Sequence, residues 1–284
     1  MEAKTETTSV TKTGTRASSR GWAVVTGASA GLGADFARQL AARGYDVVLT
    51  ARRRDRMEAL ATDLRAKHGI ETQVVECDLG ANDGPARLLA ALDEKAIVPA
   101  LLVNNAGFGV HGFAIDQPLG RQLEMIDLNV RALTELALAL GAKMAARGSG
   151  AIINVGSTGS FQPAPYFAAY AATKAYVLSF SQALAWELEP RGVRVMAHCP
   201  GPTKTEFFDV GAVHIDVGEA LFMTSEKCVA IALRALDRGK RVVVTGWLNA
   251  LGAWMGRVMP QWIVMAVGAR LMRPSAHAAL PPAR

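Results

Sequence analysis

Residues 21–33 read Gly-Trp-Ala-Val-Val-Thr-Gly-Ala-Ser-Ala-Gly-Leu-Gly, and this stretch decides the fold. A short apolar run ends at Thr26, a glycine-rich turn follows, and residues 34–43 have helical composition. A strand, a glycine turn and a helix in this order present backbone N–H groups and a helix N-terminus to a phosphate. The spacing is Gly-x-x-x-Gly-x-Gly rather than the Gly-x-Gly-x-x-Gly of many dinucleotide folds. Because glycine turns also serve close packing, this turn alone leaves both interpretations open.

Six further apolar runs predict strands that alternate with helical stretches. They cover residues 46–50, 73–76, 99–103, 151–155, 193–198 and 241–245. Residues 117–147 are expected to form one or two helices, and Ser225 is expected to cap a later one. Strands that alternate with helices, without an internal repeat, predict a parallel sheet covered on both faces. We therefore expect an α/β chain with one Rossmann-like domain over residues 21–245 and a seven-stranded parallel sheet.

Composition limits the classes of function. The net charge of the 284 residues is only +6, and the arginine cluster at residues 52–56 is short for a nucleic-acid surface, so no nucleic-acid partner is expected. Three widely spaced cysteines, Cys77, Cys199 and Cys228, suggest a reducing compartment and buried positions. The five histidines show no metal-ligand spacing, so no metal is expected.

The first twenty residues are polar and rich in Thr, Ser, Lys and Arg. They lack the apolar run of a signal peptide, so we expect a disordered tail over residues 1–20 of a cytoplasmic protein. A transit peptide is a weaker alternative, because the segment contains Glu2 and Glu6.

The end of the second predicted strand bears on cofactor choice. In dinucleotide folds an acid at this point binds the ribose 2′-OH, whereas an arginine accommodates a 2′-phosphate. This chain has Ala51 followed by Arg52, and a guanidinium can hold a phosphate with two parallel hydrogen bonds. The pattern favours NADP over NAD. Ordinary surface arginines at a helix start are the alternative, which suits Arg54 and Arg56 better than Arg52.

Polar residues follow two other strands. Asp78 lies where an adenine could bind, although an acid there is more often a helix cap. Asn104-Asn105-Ala106-Gly107 follows the fourth strand, where ligands bind in open parallel sheets, or it forms a plain turn. Asn129 interrupts the apolar pattern of a helix, so it could bind water or satisfy a neighbouring carbonyl.

Tyr170 and Lys174 are four residues apart in an alanine-rich helix that runs to about Glu189, so they project from the same face. A nearby ammonium favours the phenolate, and such a pair can pass a proton to or from an alcohol oxygen. Tyr-x-x-x-Lys is also common on exposed helices. Ser157 follows the fifth strand and precedes this helix.

Six motifs in order resemble the short-chain dehydrogenase/reductase family, over roughly residues 21–245. They are Thr26-Gly27-x-x-x-Gly31-x-Gly33, Asn104-Asn105-Ala106-Gly107, Asn129, Ser157, Tyr170-x-x-x-Lys174 and Pro200-Gly201-x-x-x-Thr205. None is specific alone, but the ordered set is hard to obtain by chance.

The resemblance implies a nicotinamide enzyme with a catalytic tetrad. Tyr170 would donate the proton in carbonyl reduction and act as base in alcohol oxidation, and Ser157 would polarise the substrate oxygen. Lys174 would bind the nicotinamide ribose and favour the tyrosinate, while Asn129 would hold a water. With Arg52, the expected cofactor-binding residues are Gly27, Ser29, Ala30, Gly31, Leu32, Gly33, Asp78, Leu79, Asn105, Ala106, Gly107, Tyr170, Lys174, Pro200, Gly201, Thr203 and Thr205.

The remaining segments are apolar. Residues 207–224 lack periodicity and predict a loop that either binds an apolar substrate or docks onto the body. Residues 246–284 form an apolar extension with Trp247, Trp254 and Trp262, and no uncharged run in it reaches the ~20 residues that span a bilayer. We expect it to be an oligomer interface or a substrate-site cover, with contact to a membrane surface as the second choice. It also resembles the tails of bacterial reductases similar to hydroxysteroid dehydrogenases.

These observations predict NADPH-dependent, reversible reduction of a hydrophobic ketone, including a bulky one, to a secondary alcohol by a homo-oligomer, a dimer or tetramer. The alternatives are a non-catalytic NADPH-binding protein and a membrane-surface dehydrogenase of the hydroxysteroid or lipid type. A sugar-nucleotide epimerase uses the same Tyr-Lys pair but usually carries a larger C-terminal domain.

Overall fold

The computed structural model describes residues 19–210 and 221–274, and its centre is a parallel sheet. Within these ranges there are nine strands: β1 (Trp22–Thr26), β2 (Asp46–Ala51), β3 (Thr72–Glu76), β4 (Leu101–Asn104), β5 (Gly150–Val155), β6 (Val193–Cys199), β7 (Thr203–Lys204), β8 (Met223–Thr224) and β9 (Val242–Val244). Seven of them form one sheet in the order β3-β2-β1-β4-β5-β6-β9, with every neighbouring pair parallel. The predicted seven-stranded parallel sheet is therefore confirmed. The short parallel pair β7–β8 was not predicted.

Helices connect the strands. They are α1 (Gly31–Ala42), α2 (Arg54–His68), α3 (Gly84–Glu94), α4 (Leu119–Ile126), α5 (Leu133–Arg147), α6 (Ala168–Leu188), α7 (Phe207–Val210), α8 (Ser225–Asp237), α9 (Trp247–Val258) and α10 (Gln261–Leu271). The predicted cap of α8 was wrong: Ser225 is the first helical residue, and the hydroxyl of Thr224 accepts the N–H of Lys227. Asp78, which follows β3, does not cap a helix. Its carboxylate accepts the N–H of Gly80, and the next helix begins only at Gly84.

Both faces of the sheet are covered by apolar packing. Successive side chains of a strand point to opposite faces, so Val25 joins one core and Val24 the other. The first core contains Phe36 of α1 and Val229 of α8, and the second contains Leu136 of α5. Helices therefore lie on both sides, as the strand–helix alternation predicts.

The order of the sheet places a crevice beside β1. Because β1 lies between β2 and β4, the connections from β1 and β4 leave to opposite faces, and ligands bind at such a point. The hydroxyl of Thr26 accepts the N–H groups of Asn105 and Ala106 at 2.8 and 2.9 Å, and donates to the carbonyl of Val103 at 3.3 Å. The ends of β1 and β4 are thereby held together.

A buried polar chain ties the sheet to α6. The amide of Asn104 donates to Asn154 at 3.0 Å, and the amide of Asn154 donates to Ser181 at the same distance. All three side chains are buried, and Ser181 donates in turn to the carbonyl of Val177. These bonds fix the register of the helix that carries Tyr170 against the strands.

Some predictions fall on parts of the chain outside this description. The tail predicted over 1–20 lies outside the described residues except for residues 19 and 20, and so do positions 211–220 of the predicted apolar loop. Within the described ranges, no helix combines the length and the apolar character needed to cross a membrane.

Candidate active site

The glycine turn forms a cradle at the N-terminus of α1. Gly27 and Gly31 have φ values of +66° and +52°, which side chains rarely adopt. A Cβ on Gly33 would lie 2.1 Å from the carbonyl oxygen of Gly27, so only glycine fits there. A Cβ on Gly31 would lie 3.0 Å from Thr205, which reaches the same turn. The tight turn leaves the N-terminus of α1 without a side-chain cap, and such a helix end fits a bound pyrophosphate.

Two arginines, Arg52 and Arg53, stand at the end of β2. The Nη1 of Arg52 lies 4.0 Å from a carboxylate oxygen of Asp78. The Nε and Nη2 of Arg53 donate to the Ser29 hydroxyl at 3.2 and 3.1 Å, and its Nη1 donates to Glu206 at 2.8 Å. Both arginines line the cavity described below, whereas sequence reasoning singled out Arg52 alone.

The sequence alone does not show that Arg53 reaches the cavity, because this depends on how the backbone turns into α2. Arg52 and Arg53 have the same composition signal, and the side that each side chain takes depends on how the backbone enters α2. Arg53 is the residue that precedes this helix, so its guanidinium adds to the partial positive charge of the helix N-terminus. The pair brings two guanidinium groups to this edge of the cavity, where Asp78 and Glu206 are their carboxylate neighbours.

The loop after β3 is held by Arg131. Its guanidinium donates to the carbonyls of Gly80 and Ala81 at 3.0 Å each and to that of Asn82 at 3.3 Å. This anchoring fixes the segment that carries Asp78, and Asp78 lines the cavity. Sequence reasoning did not identify Arg131, because its role depends on carbonyls about fifty residues away.

Ser157, Tyr170 and Lys174 lie together on the cavity wall. Ser157 is held by its turn, since its N–H donates to Ser160 and its hydroxyl accepts the N–H of Gly159. The Nζ of Lys174 donates to the carbonyl of Val155 at 2.9 Å and lies 5.8 Å from the centre of the Tyr170 ring. The end of β5 and one turn of α6 thus bring the three groups to one place.

Burial is the main cause of the pKa shifts of Tyr170 and Lys174. It raises the pKa of Tyr170 to about 12, and a hydrogen bond with Ser157 opposes only part of that shift. It lowers the pKa of Lys174 to about 8. From the sequence we expected Lys174 to favour the phenolate, but in the structure burial is the main influence on the pKa of Tyr170 and favours the neutral phenol. Tyr170 is consequently a protonated phenol at neutral pH, which suits a proton donor.

Asn129 lies behind this wall in a π-helical stretch, Asp127–Ala132, between α4 and α5. Its amide donates to the carbonyl of Phe108 at 2.9 Å and to the hydroxyl of Thr173 at 3.1 Å, and its oxygen accepts the N–H of Phe108 at 3.2 Å. The side chain is fully buried. These three hydrogen bonds give Asn129 a structural role in joining neighbouring segments. Its role in holding a water stays a prediction.

Gly107 allows Asn129 and Lys174 to come close to the backbone at this position. A Cβ at this position would lie 2.7 Å from the Asn129 oxygen and 3.4 Å from the Lys174 Nζ. Asn105 also has a structural part, because its amide donates to the carbonyl of Thr26 at 2.9 Å.

Most of these groups border one cavity of about 660 Å³. Of the predicted catalytic and cofactor-binding residues, Gly33 and Asn129 support the wall from behind, and the others line it. Beyond Tyr170 the lining becomes apolar. The residues there are Phe108, Ala164, Phe167, Phe207, Phe208, Leu221, Leu248, Ala253, Leu271 and Met272. The Tyr170 ring stacks on Phe167 with the ring centres 4.3 Å apart.

Comparison with known proteins decides the family. A family model described as short chain dehydrogenase matches residues 21–211. The chain belongs to the short-chain dehydrogenase family. The resemblance drawn from the six motifs is confirmed, and proteins of this family use nicotinamide dinucleotides.

Relatives and solved structures are similar over different spans. The very-long-chain 3-oxoacyl-CoA reductase of Podospora anserina is 36% identical over 182 residues, which cover 61% of this chain and 52% of that protein. The chain thus spans about half the length of this curated relative. A short-chain dehydrogenase from Sphingobium yanoikuyae in complex with NADPH has a TM-score of 0.76 and 36% identity, covering 83% of this chain and 94% of that one. The bulky-bulky ketone specific alcohol dehydrogenase from Comamonas testosteroni has a TM-score of 0.72 and 30% identity, covering 93% and 100%.

Proposed function

We propose that this short-chain dehydrogenase reduces a hydrophobic ketone, including a bulky one, to a secondary alcohol with NADPH. The observation that carries the proposal is the position of Ser157 and Tyr170. Their hydroxyls lie on one cavity wall, between the glycine turn with its arginines and the apolar lining formed by Phe167 and Phe207.

The residues of the site suit carbonyl reduction. A ketone oxygen placed at the wall accepts hydrogen bonds from Ser157 and Tyr170, which polarise the C=O bond. The bound reduced nicotinamide supplies a hydride for the carbonyl carbon. Tyr170 gives its proton to the oxygen, so a new C–H and a new O–H bond replace the C=O π bond. Lys174, largely an ammonium below its pKa of about 8, stabilises the tyrosinate that is left.

The preference for NADPH is supported by charge. Ala51 stands where an acid would bind a ribose 2′-OH, and Arg52 and Arg53 line the same edge of the cavity. A carboxylate there would repel a 2′-phosphate, whereas a guanidinium binds it with charge-assisted hydrogen bonds. The NADPH complex of the Sphingobium yanoikuyae structure supports the same choice.

The choice of substrate is supported by the apolar half of the cavity. Aromatic and aliphatic side chains leave few polar partners for a charged or sugar-like substrate, whose unpaired groups would be costly to bury. The names of two similar proteins also support a ketone substrate. One is a very-long-chain 3-oxoacyl-CoA reductase, and the other is an alcohol dehydrogenase specific for bulky-bulky ketones.

Steady-state rates on a ketone panel test the proposal. Acetone, an alicyclic ketone and a diaryl ketone are each assayed with NADPH and with NADH. We expect kcat/KM to be at least tenfold higher with NADPH than with NADH, and higher for the alicyclic or diaryl ketone than for acetone. Absence of NADPH oxidation with every ketone would overturn the proposed reaction, and a preference for NADH would overturn the assigned cofactor.

A further inference from the structure

Helix α9 has two different faces. Leu248, Gly252 and Ala253 line the active-site cavity. Trp247 and Trp254, about two helical turns apart, point outward and are 75% and 60% exposed. A soluble surface rarely presents such large apolar side chains side by side without a binding role.

The same outward surface continues on α10 and beyond. Trp262 of α10 is 73% exposed, while Gly268 of the same helix packs against Pro165 beside the cavity. Next to Pro165, the ring of Tyr166 meets the half-exposed ring of Phe113 at 4.9 Å. The exposed apolar side chains thus lie on the outer surface of two helices whose other residues line the cavity. We call this surface, formed by Trp247, Leu251, Trp254, Met255, Val258, Trp262, Met265 and Phe113, the aromatic rim.

The segment that carries most of the aromatic rim contains only positively charged side chains. From residue 246 to the last residue, 284, the sequence contains four arginines and no aspartate or glutamate. Arg257, Arg270 and Arg273 are exposed, and Arg257 also lies over the ring of Phe161. Exposed tryptophans flanked by arginines are suited to an anionic lipid surface, where indole rings settle at the headgroup level.

A second copy of the chain fits this surface less well. A two-fold interface brings the same patch of each copy together, so the arginines of α9 and α10 would face one another without acidic partners from the segment. Helices of twelve and eleven residues are about 18 and 17 Å long, against ~30 Å for a bilayer core, so they match a surface position.

We propose that the aromatic rim docks this short-chain dehydrogenase on an anionic lipid bilayer, with the mouth of the active-site cavity against the membrane. An apolar ketone dissolved in the bilayer would then reach the cavity without crossing water. The docking is independent of the reaction, and only the route of the ketone rests on the proposed function.

Vesicle flotation with the full chain tests the docking. The vesicles are phosphatidylcholine alone and a 7:3 mixture of phosphatidylcholine and phosphatidylglycerol. We compare the wild type with the double variant Trp254→Gln/Trp262→Gln, with Arg270→Gln/Arg273→Gln, and with Trp186→Gln, whose exposed tryptophan lies on α6 away from the rim. Thermal unfolding by circular dichroism shows that each variant folds, and light scattering gives its oligomeric state.

We expect the wild type to float with the anionic vesicles. The fraction of the tryptophan double variant that floats should be at least tenfold lower than that of the wild type. The arginine double variant should lose its preference for the anionic vesicles, and Trp186→Gln should bind within twofold of the wild type. A wild type that stays unbound would overturn the proposal, and so would an equal loss in Trp186→Gln. An oligomer that the tryptophan double variant dissociates, without vesicle binding, would instead assign the rim to contact between copies.

Discussion

Among the single residues of the site, Tyr170 has the main part in the proposed reaction, because it donates the proton. Its replacement in Tyr170→Phe removes one hydroxyl and keeps the ring stacked on Phe167. Since general acid catalysis contributes ~10²–10⁴-fold, we expect kcat for ketone reduction to fall by that order while NADPH still binds. Tyr176→Phe is the matched control, because Tyr176 lies on the same helix, is exposed and bonds to Thr134. It should keep its rate within about twofold.

The pH dependence follows from Lys174. Its pKa is lowered to about 8 by burial, while that of Tyr170 is raised to about 12. As the pH rises through about 8, Lys174 loses its proton, and Tyr170 keeps its own. We therefore expect kcat/KM for reduction to be flat near neutral pH and to fall above about pH 8.

A pH–rate profile of the free enzyme checks this expectation. In Lys174→Arg, a charge that persists at all these pH values should remove the decline, although the absolute rate is lower. A wild-type profile that stays flat well above the pKa of Lys174 would contradict the assignment.

Arg53 is the residue that discriminates the cofactors most sharply in this account. In Arg53→Gln we expect kcat/KM with NADPH to fall by about tenfold or more, because charge-assisted bonds are each worth ~1.5–3 kcal/mol, and the value with NADH to change little. Arg54→Gln is the control, since Arg54 pairs with Glu58 on the exposed side of α2. Equal losses with both cofactors would show that Arg53 acts only on the fold of the turn.

Several of these residues were predictable and others were not. The motifs indicated Tyr170, Lys174 and Ser157 because their spacing along the chain has a chemical meaning. Arg53 and Arg131 escaped notice because their partners, Ser29 and the carbonyls after Asp78, come close only in the folded chain. The raised pKa of Tyr170 also depends on burial, which a sequence motif does not measure.

At the scale of elements, the glycine turn and α1 give a stability prediction. Gly33→Ala places a Cβ 2.1 Å from the Gly27 carbonyl, so the turn must shift. We expect the free energy of unfolding to fall by about 1–3 kcal/mol, as for other overpacked sites, and the Kd for NADPH to rise about tenfold. Calorimetry and fluorescence titration measure the two effects.

Gly120→Ala makes the same chemical change in α4, where nothing lies within 4 Å of the added carbon. Alanine is the better helix residue by up to ~1 kcal/mol, so this variant should be as stable as the wild type or slightly more stable. If both variants behaved alike, crowding at Gly33 would not explain the effect.

The helix predicted over residues 117–147 shows what periodicity can and cannot give. Its extent was nearly right, but the structure divides it into α4, a π-helical stretch and α5. The π turn places Asn129 against Phe108 and Thr173, and these bonds between distant segments are absent from any local pattern. The polar residue inside an apolar helix was the one sequence signal of this irregularity.

At the scale of the whole molecule, alternation of strands and helices predicted the sheet and its covered faces. The family could also be predicted, because six motifs occur in order. The packing of α9 and α10 on the cavity could not be, since the same apolar residues are compatible with a cover, an interface or a membrane contact. Their two faces are distinguished only in the structure, where Leu248 lines the cavity and Trp247 is exposed.

Because the glycine turn and the apolar lining share one cavity with Tyr170, transfer of a labelled hydride tests the proposed reaction. The wild type is mixed with NADPH that carries deuterium at the transferred position and with the best ketone of the panel, and the alcohol is analysed by mass spectrometry and NMR. We expect one deuterium on the carbinol carbon of each alcohol molecule, and a yield that Tyr170→Phe reduces by ~10²-fold or more in the same time. An alcohol without deuterium at that carbon, or full activity of Tyr170→Phe, would contradict it.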